Sequence, residues 1–143
     1  MRIAPRSAFV PFLIAAVSVR GAGGDAFGDA RFALALAPSG IVSLKQPGDR
    51  YDTEFLREGE SLGTLALAYR TDKGAWRERT TRDTAGTISR DGDARRLVQR
   101  LDDDLEIAQR FALGGEALAW TIELRNTGAR LLEIGDLAFP LGF

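Results

Sequence analysis

From Arg31 onward, apolar and polar residues alternate with a period of two, the spacing required of a strand with one buried face. Phe32, Leu34 and Leu36 share a face opposite Arg31, Ala33 and Ala35. The turn signal "PSG" (38–40) leads into a second strand, "IVSLK" (41–45). Leu65, Leu67 and Tyr69 alternate with Ala66, Ala68 and Arg70 before "TDKG" (71–74) reverses the chain. The next stretch, "AWRERTTR" (75–82), is polar on both faces and predicts an edge strand, where charge discourages pairing with another molecule. "SRDGDA" (89–94) predicts a turn, followed by a short strand around Leu97 to Leu101.

The C-terminal third carries the clearest pattern. Leu105, Ile107, Phe111 and Leu113 lie on one face, interrupted by Gln109. "GG" (114–115) turns into Leu118, Trp120, Ile122 and Leu124, and "RNTGAR" (125–130) turns again into "LLEIGDLAFPL". The expectation is a meander of three antiparallel strands. No stretch outside the N-terminal segment sustains helical periodicity, so the predicted fold is all-β, an antiparallel sandwich of roughly eight to ten strands over residues 31–143. The glycine-rich "GAGGDAFGD" (21–29) reads as a flexible leader, residues 25–30 ahead of the sandwich.

The first 24 residues follow a different plan. Arg2 and Arg6 precede the apolar run "AFVPFLIAAVSV" (8–19), and small residues follow it. This is the layout of a secretory signal peptide, shorter than the roughly 20 apolar residues of a membrane span. The expected location is therefore secreted or periplasmic, with no membrane attachment after the segment is removed. A net charge of -1 gives no basic surface for nucleic acid. The chain has no cysteine and no histidine. Disulfides, thiolate chemistry, the Ser-His pair and the commonest metal ligand are thereby excluded.

Charge is densest in "QPGDRYDTEFLREGE" (46–60). Paired carboxylates run glycoside hydrolysis, and Asp49, Asp52 and Glu54 are the candidates. Arg50 and Arg57 stand close in sequence and favour the ionised form, whereas a general acid needs a raised pKa. The stretch therefore reads first as a braced loop, with Asp49 in the turn after Pro47 and Gly48, and second as a lip over a ligand. "LDDDLE" (101–106) and "RDGD" (90–93) lack the spacing of a calcium loop and read as solvated turns. Trp120 shares an apolar face and belongs to the core, whereas Trp76 follows a glycine turn on a polar strand and is the candidate for sugar stacking.

"SGIVSLKQPGDRYDTEFLREGESLGTLALAYR" and "LEIAQRFALGGEALAWTIELRNTGARLLEIGDLAFPL" together resemble the N-terminal β-supersandwich, a galactose-mutarotase-like fold, of large secreted bacterial carbohydrate-active proteins. The resemblance covers residues 31–143, with "YDTEF" and "LG" ahead of a strand ending in "YR" as its marks. It implies a sandwich that precedes a separate catalytic toroid. A complete supersandwich is longer than this chain, so the resemblance implies a domain truncated at its C-terminus. Sugar mutarotases use histidine, and its absence here limits the resemblance to the fold. The implied function is a non-catalytic domain of a carbohydrate-processing enzyme of hydrolase or lyase type, with no catalytic residue, metal or cofactor of its own. Its partners would be a downstream catalytic domain and a glycan whose hydroxyls touch Tyr51, Asp52 and Glu54, with Arg50 or Arg57 placed for an acidic sugar. The alternatives are a freestanding carbohydrate-binding or adhesion module anchored by Trp76 and, last, a small glycosidase acting through Asp52 and Glu54.

Overall fold

The computed structural model describes residues 24–141, and the proposed export segment lies outside them except for Gly24. Ten strands follow in order: β1 (Asp25–Gly28), β2 (Ala33–Ala37), β3 (Gly40–Lys45), β4 (Ala66–Thr71), β5 (Arg77–Thr80), β6 (Gly86–Asp91), β7 (Ala94–Asp102), β8 (Leu105–Gly114), β9 (Ala117–Asn126) and β10 (Leu132–Ala138). All pairings are antiparallel, in sheets ordered β1-β2-β3, β10-β4-β5 and β6-β7-β8-β9. The four-stranded sheet forms one layer of a sandwich. The two three-stranded sheets lie side by side against its inner face, as two clusters of buried side chains show. Leu34, Leu36, Ile41, Leu56 and Leu62 pack on Leu97 and Phe111. Leu65, Leu67 and Tyr69 pack on Leu105 and Ile107. Trp120 touches both clusters.

Gln109, which breaks the apolar face of β8, is fully buried beside Gln99 in a chain of amides. The indole N–H of Trp120 donates to Gln109 Oε1 at 3.0 Å, and Gln109 Nε2 donates to Gln99 Oε1 at 3.1 Å and Gly63 O at 2.8 Å. Gln99 Nε2 in turn reaches Pro38 O, Thr81 O and Thr84 O at 3.0–3.1 Å. Gly63 lies in the connection between β3 and β4, Pro38 in the β2–β3 turn, and Thr81 and Thr84 in the β5–β6 connection. Lacking sheet partners, these carbonyls require side-chain donors once buried.

Three expectations are corrected. Residues 25–30 are not simply a leader, because Asp25–Gly28 pairs with β2 as an edge strand. Phe27 packs on the core while Asp25 binds the buried Arg95 at 2.5 Å. The turn predicted over 89–94 is tighter than expected, since Gly86–Asp91 forms β6 and pairs with β7 through Asp91↔Ala94. Only Ile88 of that strand packs on the core, so no alternation announced it. Finally, β10 does not complete a meander with β9 but crosses to β4. Thr127 N and Oγ1 donate to Asp104 O and Asp103 O at 2.9 and 2.8 Å, tying the 126–130 turn to the β7–β8 turn. Leu131 and Asp72 then exchange two hydrogen bonds of 3.0 Å, which start the new pairing. The predicted edge strand is β5, outermost in its sheet.

At one end of the sandwich the Tyr69 hydroxyl donates to Asp102, which also binds Arg77 at 3.0 Å and Arg79 at 3.7 Å. Burial, then the Asp102 hydrogen bond and charge, push the Tyr69 hydroxyl up to about 12 against the opposing charges of the two arginines. Because the folded value lies above the ordinary 10.0, this contribution to stability is complete below pH 10 and disappears as pH rises towards about 12. Tyr69→Phe should therefore flatten the alkaline limb of a urea-unfolding series. Equal slopes for both proteins across that window would refute the assignment.

Candidate functional site

The 46–60 loop is held from within. Asp49 N donates to Gln46 O at 3.2 Å across the Pro47-Gly48 turn. The Asp49 carboxylate accepts from Thr53 N at 2.9 Å and Tyr51 N at 3.3 Å. Hydrogen bonds from the Thr53 hydroxyl and N–H, then the Tyr51 N–H, hold its carboxyl below the ordinary range. Asp52 adopts a left-handed φ of 50° and pairs with Lys45 at 2.7 Å, and this hydrogen bond raises the lysine's pKa. Glu54 accepts from Ser43 Oγ at 2.7 Å, Leu44 N at 2.8 Å and Leu56 N at 3.1 Å. Burial pushes the Glu54 carboxyl up, but these three bonds and the charge of Lys45 prevail, leaving it below its ordinary value. Glu54 thus stitches the loop to β3 as an ionised acceptor, the opposite of what a general acid requires. Lys45, hydroxyls and backbone N–H groups, that of Arg50 among them, hold these carboxylates.

At the loop tip Tyr51 is 78% exposed, with the Arg50 guanidinium 5.5 Å from its ring centre. Arg57 is exposed beyond the base, its carbonyl accepting from Glu60 N at 3.0 Å. Phe55 N donates to Leu44 O at 3.0 Å, laying the loop along β3. A hollow of ≈ 260 Å³ opens beside it, lined by Phe32, Leu44 and Phe55 with Arg31, Lys45 and Gln46. The fold therefore groups Arg50, Tyr51, Asp52 and Glu54 along one loop. Trp76 belongs to the β4–β5 turn of a different sheet.

Trp76 stands near a larger feature. A groove of ≈ 440 Å³ runs over the outer face of β10-β4-β5. Alternation along β4 sends Leu67 and Tyr69 into the core, which leaves Ala66 and Ala68 as a low floor. Register places Glu78 on one side of Ala68 and Asp136 on the other, with Thr80 and Ala138 flanking Ala66. Asp136 reaches this face only because the register shifts between Ile134 and Asp136, inserting Gly135 as a bulge. Without the extra residue, Asp136 would oppose the core residue Leu67. Gly135 has a second role, since a Cβ there would meet the Trp76 ring at 2.6 Å. The indole, 49% exposed, lies over the bulge with the Arg70 guanidinium 4.6 Å from its centre, and Arg70 is fixed by Glu133 at 2.6 Å.

Glu78, Thr80 and Asp136 carried no sequence motif. One signal was present, because a glycine inside a strand pattern, Gly135, marks a bulge or a close approach. Among the described residues no group of three or more acidic side chains could hold a metal ion, and no helix is long and apolar enough to cross a membrane. No protein-family model, curated protein or solved structure matches this chain.

Proposed function

We propose that this chain is the non-catalytic β-sandwich of a secreted or periplasmic carbohydrate-processing enzyme of hydrolase or lyase type. It packs against a neighbouring catalytic domain and presents the 46–60 loop as a lip at the glycan cleft. The observation that carries this reading is an incompletely covered apolar strip. Leu131, Ile134, Phe139 and Leu141 are exposed along and beyond β10. They continue a half-buried surface of Trp120, Ile122 and Leu124 on β9, the outermost strand of its sheet. Phe139 meets Trp120 edge-on at 5.8 Å, so the strip is continuous with the core. Contiguous apolar surface of this kind marks an interaction face. The loop supports a non-catalytic role, since its carboxylates are engaged in bracing. Resemblance of the 31–143 pattern to supersandwich domains supports the carbohydrate class.

The full chain, prepared alone, is expected to bind an apolar dye such as anilinonaphthalene sulfonate and to self-associate. Replacing Leu131, Ile134 and Leu141 together with glutamine should abolish both properties and leave the melting temperature near that of the parent. A parent chain that is monomeric and does not bind the dye would overturn the packing role. The second reading is a freestanding carbohydrate-binding module, favoured by the groove on β4 and the half-exposed Trp76 beside it.

A further inference from the structure

We infer that the groove over Ala66 and Ala68 is a binding subsite for an uncharged oligosaccharide, distinct from the 46–60 loop. This rests on the carbohydrate part of the reading above and is independent of the packing role. Its volume, ≈ 440 Å³, lies within the span of small-ligand sites, roughly 300–1,000 Å³. Two alanines on the middle strand leave a shallow, flat floor between two walls. The walls stand on β5 and β10, each one strand spacing, about 4.8 Å, from β4. A sugar ring lying on the floor has its C–H face against the alanine methyls and its equatorial hydroxyls towards the walls.

The walls supply acceptors for those hydroxyls. Glu78 and Asp136 face each other across Ala68, and the Thr80 hydroxyl lies one row along. Asp136 Oδ1 accepts from Leu137 N at 2.8 Å, which orients the carboxylate and leaves Oδ2 for a ligand. Hydrogen bonds from hydroxyls to carboxylates are stronger than neutral ones, and each sugar ring offers several donors. The charge of the walls decides between ligand classes. Arg79 also lines the groove, but the register sets it opposite the core residue Leu67 and its guanidinium lies 3.7 Å from Asp102, so the two carboxylates flanking Ala68 disfavour a uronate or a sulfated sugar and accept a neutral one. A protein segment is a poorer fit, since the floor has no large apolar side chain to receive an anchor. At the Arg70 end, Trp76 extends the surface with a half-exposed indole whose position is set by the bulge at Gly135.

The test is isothermal titration of the full chain with cellohexaose, xylohexaose and mannohexaose, and with hexagalacturonate as the anionic counterpart. Amide chemical shifts would be followed in parallel. At least one neutral sugar is expected to bind and to shift the amides of Ala66–Ala68, Glu78–Thr80 and Asp136–Ala138, while hexagalacturonate does not. Glu78→Ala and Asp136→Asn should each weaken binding by about tenfold, the loss of one charge-assisted hydrogen bond. Ala68→Leu, which fills the floor without changing charge, should abolish binding with the fold intact by its amide spectrum. Binding unaffected by Ala68→Leu, or preferring hexagalacturonate, overturns the subsite. If a neutral sugar shifts only residues around Tyr51, the subsite falls and the carbohydrate reading survives. If no sugar binds at all, the subsite falls and the reading loses its glycan lip, while the packing role is still judged by dye binding.

Discussion

Gln109→Leu is expected to destabilise the protein by at least about 3 kcal/mol. The leucine fits a face already made of Leu105, Ile107 and Phe111, so lost apolar contact is not the cause. The cost comes from what the amide leaves behind. Gly63 O and Gln99 Oε1 lose a donor, and the Trp120 indole N–H loses its acceptor. Each buried group stripped of its partner costs about 1–3 kcal/mol, against a total stability of roughly 5–15 kcal/mol for a domain. Urea unfolding followed by tryptophan fluorescence measures the difference. Adding Trp120→Phe to Gln109→Leu should cost less than the sum of the two single changes, because the double variant has no orphaned indole N–H. A Gln109→Leu protein within about 1 kcal/mol of the parent would mean that water replaces the amide, and that the seam between the two smaller sheets is wet.

Gly40→Ala is expected to cost about 3 kcal/mol by a different route. Gly40 sits at a φ of 129°, a backbone region that side chains of L-residues rarely adopt, and a Cβ there would lie 2.5 Å from Leu62 O. That oxygen accepts from Ile41 N at 2.7 Å, and Leu62 N returns a bond of 2.9 Å to Ile41 O. An alanine therefore meets backbone strain of about 1–3 kcal/mol and pushes apart a pair of hydrogen bonds worth about 0.5–1.5 kcal/mol each. The Ile41–Leu62 bridge closes the 46–60 loop at its base, and Leu56 from inside the loop shares the core with Ile41 and Leu62. The effect should spread accordingly. Hydrogen exchange at the Ile41 and Leu62 amides should accelerate first, followed by Phe55, whose N–H is bonded to Leu44 O. Unchanged exchange at Leu62 would show that the loop does not depend on this clasp.

The two predictions describe one design at different places. The loop and the two smaller sheets are joined by local polar devices: the Ile41–Leu62 bridge beside Gly40, a chain of amides at the seam, and Glu54 on β3. These devices hold the 46–60 loop against β3, and in the proposed function that loop is the lip at a glycan cleft. They also account for the carboxylates that had looked catalytic, because their lone pairs are used in bracing. On the outer face of β4, Asp136 accepts one hydrogen bond, from Leu137 N, whereas Glu54 accepts three.

Local pattern alone determined the class of this protein and most of its strands. Alternation along 32–36, 65–69, 105–113 and 118–124 corresponds to β2, β4, β8 and β9, because burial of one face is written into every second residue. Charge on both faces identified β5 as an edge, and charge density identified 46–60 as a solvated connection. What depended on partners distant in the chain was invisible. β1 rests on Arg95, 70 residues from Asp25, and β6 on one apolar residue packed under β7. β10 pairs with β4 and not β9 because the 126–130 turn is tied to Asp103 and Asp104, and Asp52 pairs with Lys45 on β3, seven residues back. Asp136 reached the groove through a single inserted glycine. Periodicity reports which face of a segment is buried, but only the tertiary structure decided which segments meet, because pairing is set by contacts between residues far apart in the sequence.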